Sequence, residues 1–102
     1  KAVLDSVLEA ATLGGARAVG FQNQIGELSE GLQADFAVIS LNGVNQQPTY
    51  DVNETLIFTS SARDVIMTVV AGKEVYKDGR ITTVDEERLR ARIGEIATKL
   101  AN

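Results

Sequence analysis

Val65-Ile66-Met67-Thr68-Val69-Val70 is a six-residue run dominated by β-branched side chains, and Ala71-Gly72 separates it from a second run, Lys73-Glu74-Val75-Tyr76-Lys77. β-Branched residues are stiff at χ1 and pack well on a pleated surface, so the first run favours strand. Two such runs joined by two residues ending in glycine predict a tight antiparallel hairpin. Asp78-Gly79 is a second and stronger turn signal, and Arg80-Ile81-Thr82 can add a short extended segment. The chain is therefore expected to contain an antiparallel sheet. Phe36-Ala37-Val38-Ile39-Ser40-Leu41, which follows Asp35, is a further candidate, expected as a buried strand.

The ends of the chain have a different period. Leu4, Val7, Leu8 and Ala11 recur at i, i+3, i+4 and i+7, the stripe of an amphipathic helix. Gly14-Gly15 is expected to end or bend it, with a further turn over residues 16–19 closed by Gly20. At the other end, Thr83-x-x-Glu86 has the form of a capping box, and Asp85, Glu86 and Glu87 complement the positive end of a helix dipole. A helix starting at Thr83 or Val84 is predicted, with Leu89, Ile93, Ile96, Ala97 and Leu100 on its inner stripe. Between these regions, Ile25 and Leu28 suggest a short extended piece among the turn glycines Gly26 and Gly31. Residues 42–48 form a loop. Residues 51–61 favour a short helix capped by Asp51 or Asn53.

Composition narrows the function. The 102 residues carry ten basic and fourteen acidic side chains, a net charge of −4. That balance lacks the basic stripe of a nucleic-acid binder. No apolar run approaches the roughly 18 residues of a membrane span, and no secretory leader is recognisable. Cysteine and histidine are both absent, which removes the thiolate nucleophile, the commonest general base and the commonest zinc ligand. The only methionine is Met67, and Lys1 opens directly into a helical pattern. These features are expected either of a trimmed small protein or of a piece of something larger.

Each candidate for chemistry has a plainer reading. Gly14-Gly15 and Gly26 to Gly31 match no phosphate-binding fingerprint and read as turn glycines. Asp35, Asp51, Glu54 and Asp64 lie near predicted element ends, without the spacing of a calcium loop, and read as caps, turn formers or surface groups. Ser60, Ser61 and Tyr50 have no histidine to activate them. Arg88, Arg90 and Arg92 share a helix with Glu86 and Glu87 and read as a solvated face. No catalytic, cofactor-binding or metal-ligating residue is assigned.

Four segments in register carry a resemblance. Ala11-Thr12-Leu13-Gly14-Gly15-Ala16-Arg17-Ala18-Val19-Gly20 resembles the AT-x-NGA-x-ALG stretch of metal-dependent amidohydrolases. The segment from Ile25-Gly26-Glu27-Leu28 through Gln33-Ala34-Asp35 to Ile39 resembles IGSLEPGKKADLVVI. Pro48-Thr49-Tyr50-Asp51 resembles the P-x-YDP segment of the deaminase and chlorohydrolase branch. Residues 64–75 resemble DVRHVIVDGKVV, with Asp78-Gly79-Arg80 trailing. Leu13, Ala71 and Val52 depart from the family's Asn, Asp or Asn, and Pro.

This resemblance implies a parent protein several times longer, with a (β/α)8 barrel and a small composite β-sandwich. The chain is then an α+β fragment. Residues 1–20 are terminal barrel helices. Residues 21–82 are the β-sandwich portion, with strands from 21–47 and 62–82 and a short helical insertion near 51–61. Residues 83–102 are the C-terminal helix. The implied parent uses a divalent metal, zinc or iron, whose bound water becomes hydroxide at neutral pH. Its ligands would lie before Lys1. Deamination of a purine nucleoside or related heterocycle is the implied chemistry, with triazine chlorohydrolases and guanine deaminases as competitors. The expected partners are the remainder of the parent chain and a small-molecule substrate, with no nucleic acid and no membrane, in the cytoplasm. Alone, the fragment is expected either to self-associate through its bare apolar stripes or to keep exposed apolar patches larger than normal for a monomer. The alternative is a free-standing small α+β interaction module with a self-contained core.

Overall fold

The computed structural model describes residues 2–102, so Lys1, expected to open the first helix, lies outside the described residues. The chain is α+β, built on one four-stranded antiparallel sheet: β1 (Phe36–Ile39), β2 (Val65–Val70), β3 (Lys73–Lys77) and β4 (Arg80–Ile81), in spatial order β1-β2-β3-β4. Four helices accompany it: α1 (Ala2–Glu9), α2 (Gly15–Ala18), α3 (Val52–Glu54) and α4 (Glu86–Ala101).

The expected hairpin is present. Val70 faces Lys73 across Ala71-Gly72, and Met67 faces Lys77 further along the ladder. Ala71 (φ 50°) and Gly72 (φ 79°) both adopt left-handed angles, as do Asp78 (φ 48°) and Gly79 (φ 85°) in the next turn. Two consecutive left-handed residues match the right-handed twist of the flanking strands, the reason two-residue hairpins use this turn. Strand β1 pairs with β2, Phe36 opposite Val69 and Val38 opposite Met67, with an irregularity after Val38. It is shorter than the run from Phe36 to Leu41, and it is half-exposed rather than buried. The reason is that it is an edge strand with a single neighbour.

Gly14 and Gly15 do not end the first helix. Both have right-handed helical angles, and a π-helical turn over Ala10–Gly14 joins α1 to α2. A Cβ at Gly14 would lie 3.2 Å from the carbonyl oxygen of Glu9, and one at Gly15 would lie 3.3 Å from that of Ala10. The glycines thus fit the wide turn by lacking a side chain, rather than by breaking it. The helix ends at Ala18 and Gly20 closes it, as expected. Gly20 (φ 82°) donates to the Arg17 carbonyl, and the Phe21 amide donates to that of Ala16. These paired bonds satisfy the orphan carbonyls of the last turn.

Two further expectations are corrected. Residues 25–28 form no strand; they lie in turns around Gly26 (φ 100°), which packs against the first helix. The last helix begins at Glu86, not at Thr83 or Val84, because the Asp85 carboxylate caps it by accepting from the Arg88 amide. The Glu86 carboxylate, expected to close a box with Thr83, accepts instead from the Ile81 amide at 2.7 Å.

Burial is thin. Ala16 and Val69 are the buried apolar residues among those described, joined by the polar Gln46 and Thr55. The inner stripe expected to be buried on α4 is exposed: Leu89 47%, Ile93 57%, Ile96 44% and Leu100 83%. The periodicity of the stripe is correct, but among the described residues no other helix or strand packs substantially on it. The radius of gyration, 17.7 Å, exceeds the roughly 13 Å of a compact chain of this length.

Candidate functional site

The polar residues that could carry chemistry are dispersed, and most are occupied with holding the backbone. The Asp51 carboxylate accepts from the Asn53 and Glu54 amides, the N-cap of α3. Asp64 accepts from the Ser61 amide at 2.8 Å, closing the single turn that leads into β2. Asp35 accepts from the Ala71 amide at 2.7 Å and so ties the start of β1 to the hairpin turn. Glu54 is exposed on α3. The plainer readings as caps and turn formers therefore describe Asp35, Asp51 and Asp64.

The hydroxyl candidates are likewise engaged or isolated. Ser60 donates to the Thr55 carbonyl and accepts from Gln46 Nε2. Ser61 contributes its amide to Asp64. Tyr50 is 92% exposed. On α4, Arg92 pairs with Glu95 at 2.9 Å, both well exposed, and such surface pairs contribute little. Arg88 and Arg90 are exposed on the same helix. Gly26 combines a left-handed φ of 100° with close neighbours. A Cβ there would come within 3.0 Å of Ala16 Cβ and 3.2 Å of Leu13 Cα. That is close backbone packing, not a phosphate cradle.

Gln46 is a polar centre that pattern reading missed. Its side chain is buried, and it accepts from the Gly43 amide at 2.8 Å while donating to the Ser40 carbonyl at 2.7 Å and to Ser60 Oγ at 2.9 Å. These bonds join the end of β1, the 43–46 turn and the end of the 55–59 helical turn. Every polar atom of that carboxamide has a partner, so the site is a structural clasp. The sequence offers only an Asn/Gln-rich loop at this point.

One broad concavity among the described residues is apolar. A groove of about 680 Å3 runs between the first helix, the 25–28 turn and β1, lined by Leu8, Val19, Ile25, Leu28, Phe36 and Leu56 among others. Its charged lining residues are Glu27 and Asp35, and Asp35 is already bound to Ala71. Among the described residues no group of three histidine, cysteine, aspartate or glutamate side chains is placed to hold a metal ion. No described helix is long and apolar enough to cross a membrane.

The described residues thus leave a thin core, an open apolar groove beside the first helix and an exposed apolar stripe on α4. The chain belongs to the amidohydrolase family, whose model matches residues 2–75. It is similar to the 5-methylthioadenosine/S-adenosylhomocysteine deaminase of Nitratidesulfovibrio vulgaris, 37% identical over 91 residues, covering 89% of this chain and 20% of that protein. The enzyme of the same name from Caldicellulosiruptor saccharolyticus is 37% identical over 90 residues, 88% of this chain and 21% of that protein. Among solved structures, an adenosine deaminase from Xanthomonas campestris with bound zinc superposes with a TM-score of 0.85 at 32% identity, covering 96% of this chain and 22% of that one. An atrazine chlorohydrolase from Arthrobacter aurescens in complex with zinc gives 0.76 at 31% identity, covering 87% and 19%. The chain thus spans about a fifth of the length of the relatives it matches.

Proposed function

We propose that this chain is the C-terminal structural segment of a metal-dependent hydrolase acting on carbon–nitrogen bonds other than peptide bonds. The whole protein then hydrolytically deaminates a purine nucleoside such as 5-methylthioadenosine or S-adenosylhomocysteine. The observation that carries this reading is the 37% identity over 91 residues with a deaminase of that specificity. Triazine dechlorination is the competing chemistry within the same family.

The segment's part is architectural. In this reading residues 1–20 are terminal barrel helices, residues 21–82 complete a composite β-sandwich, and residues 83–102 pack back on the barrel. The exposure of Leu89, Ile93, Ile96 and Leu100 and the open groove beside Phe36 support it, because each is an apolar surface without a partner among the described residues. A free-standing interaction module would need a self-contained core, and two buried apolar residues supply little of one. The residues of this chain do not fit a catalytic metal: it has no histidine or cysteine, and its described carboxylates do not cluster. Ligands for the zinc or iron of such an enzyme would come from the remainder of the parent chain. A cytoplasmic location goes with nucleoside chemistry of this kind.

The test is ammonia release by the purified full-length protein supplied with 5-methylthioadenosine, S-adenosylhomocysteine, adenosine and a chlorotriazine in parallel. Release from the nucleosides is expected. Chloride release from the triazine without nucleoside deamination would overturn the substrate assignment.

A further inference from the structure

We propose that Asn42-Gly43 is a latent deamidation site, and that the buried Gln46 carboxamide holds it shut in the folded protein by accepting the Gly43 amide hydrogen. Asn42-Gly43 is the one Asn-Gly pair in the sequence. Asn42 is exposed; its backbone amide donates to Ser40 Oγ, and among the described residues its carboxamide has no hydrogen-bond partner to restrain the group that would be attacked. Gly43 has no side chain to block approach to its nitrogen.

The reaction requires only water. The Gly43 amide loses its proton, and its nitrogen attacks Asn42 Cγ. The new N–Cγ bond forms as the Cγ–Nδ2 bond breaks, and ammonia leaves with a proton. Water then opens the resulting cyclic imide at either carbonyl, leaving an aspartyl or an isoaspartyl residue at position 42. The second product adds a methylene to the backbone, at the segment that leads from β1 into the 43–46 turn.

The structure opposes the first step. The Gly43 N–H is donated to Gln46 Oε1 at 2.8 Å and so is directed away from solvent base. Gln46 is itself immobilised. It is 1% exposed, its Nε2 donates to the Ser40 carbonyl and to Ser60 Oγ, and its own amide donates to the Gly43 carbonyl at 2.9 Å. Cyclisation therefore requires local opening of the turn, and its rate follows that opening rather than the intrinsic reactivity of the pair.

The experiment ages the full-length protein at mildly alkaline pH and reads conversion at position 42 by peptide mapping and isoaspartyl methylation. Hydrogen exchange follows the Gly43 amide in parallel. Native protein should convert many-fold more slowly than the same protein in denaturant. Gln46→Leu, which removes the acceptor, should convert several-fold faster than wild type. Ser60→Ala, which removes one anchor of Gln46 from a distance, should be intermediate. Asn42→Ser should abolish the product and so assign it. Should Gln46→Leu fail to fold, the Ser60→Ala rate and the native-to-denatured ratio decide. Equal rates in native and denatured protein would overturn the proposal, as would an unchanged rate in a variant whose Gly43 amide exchanges faster.

Discussion

The Asp35 carboxylate accepts the Ala71 amide hydrogen at 2.7 Å, across 36 positions of sequence, and the neighbouring Ala34 carbonyl accepts that of Gly72 at 3.0 Å. Two consecutive donors of the β2–β3 turn are thus satisfied by the two residues that precede β1. The Ala-Asp pair before β1 and the turn of the hairpin form one unit, although they are far apart in sequence. Hydrogen bonds to charged acceptors contribute about 1.5–3 kcal/mol when shielded. Asp35 is half-exposed, so Asp35→Ala is expected to cost about 1 kcal/mol, read as a lower denaturant midpoint with an unchanged slope. Asp35→Asn, which keeps an oxygen acceptor, should lose less.

Ala71 occupies a left-handed conformation (φ 50°) that costs a residue with a Cβ roughly 1–2 kcal/mol. Asparagine tolerates that region, so Ala71→Asn should raise stability by about 0.5–1 kcal/mol. A thermal melt that shifts down would show that the turn is not of this type in solution.

Val52 is the first residue of α3 and follows Asp51, whose extended angles (φ −133°, ψ 117°) suit a residue preceding proline. Val52→Pro places proline where its fixed φ and missing N–H are tolerated. The expected change is stabilisation of about 0.4–1 kcal/mol, by restricting the unfolded chain. Loss of stability in equilibrium unfolding would contradict this assignment of the helix start.

Gly26 and Gly94 should respond to alanine in opposite directions. At Gly26 the left-handed φ and the 3.0 Å approach to Ala16 Cβ leave no room, and overpacking of this kind costs about 1–3 kcal/mol. At Gly94, in the middle of α4, nothing lies within 4 Å of the added methyl, and alanine should stabilise by about 0.5–1 kcal/mol. Both values come from denaturant titration of the same protein.

Asp85→Ala should reduce the helicity of α4 and cost about 1 kcal/mol through the lost cap, whereas Thr83→Ala should cost little. Circular dichroism of the two variants separates them. A larger loss for Thr83→Ala would restore the capping box read from the sequence.

The 102-residue polypeptide expressed alone should self-associate through its bare stripe, and Ile93→Glu should weaken that association in sedimentation. Monomeric behaviour of the unmodified polypeptide would count against the stripe as a docking face.

Local chemistry made much of this chain legible before any fold was known. The β-branched run at 65–70, the two-residue turns at 71–72 and 78–79 and a cap at Asp51 or Asn53 each depend on one residue and its near neighbours, and the structure forms all four, with Asp51 as the cap. The absence of histidine and cysteine similarly removed the usual catalytic and metal-binding groups at once. Tertiary structure decided what depends on distant partners. Gly14 and Gly15 read as a place where the helix ends or bends, yet Gly14 closes a π-helical turn and Gly15 opens α2, where Cβ atoms would press on carbonyls five residues earlier. Gln46 is one glutamine in a polar loop until Ser40, Gly43 and Ser60 converge on it. The α4 stripe shows most clearly where the division lies. Its period of Leu89, Ile93, Ile96 and Leu100 follows from helix geometry alone, which specifies the face that is apolar. Burial of that face needs a second surface, and no sequence pattern within the helix can provide one.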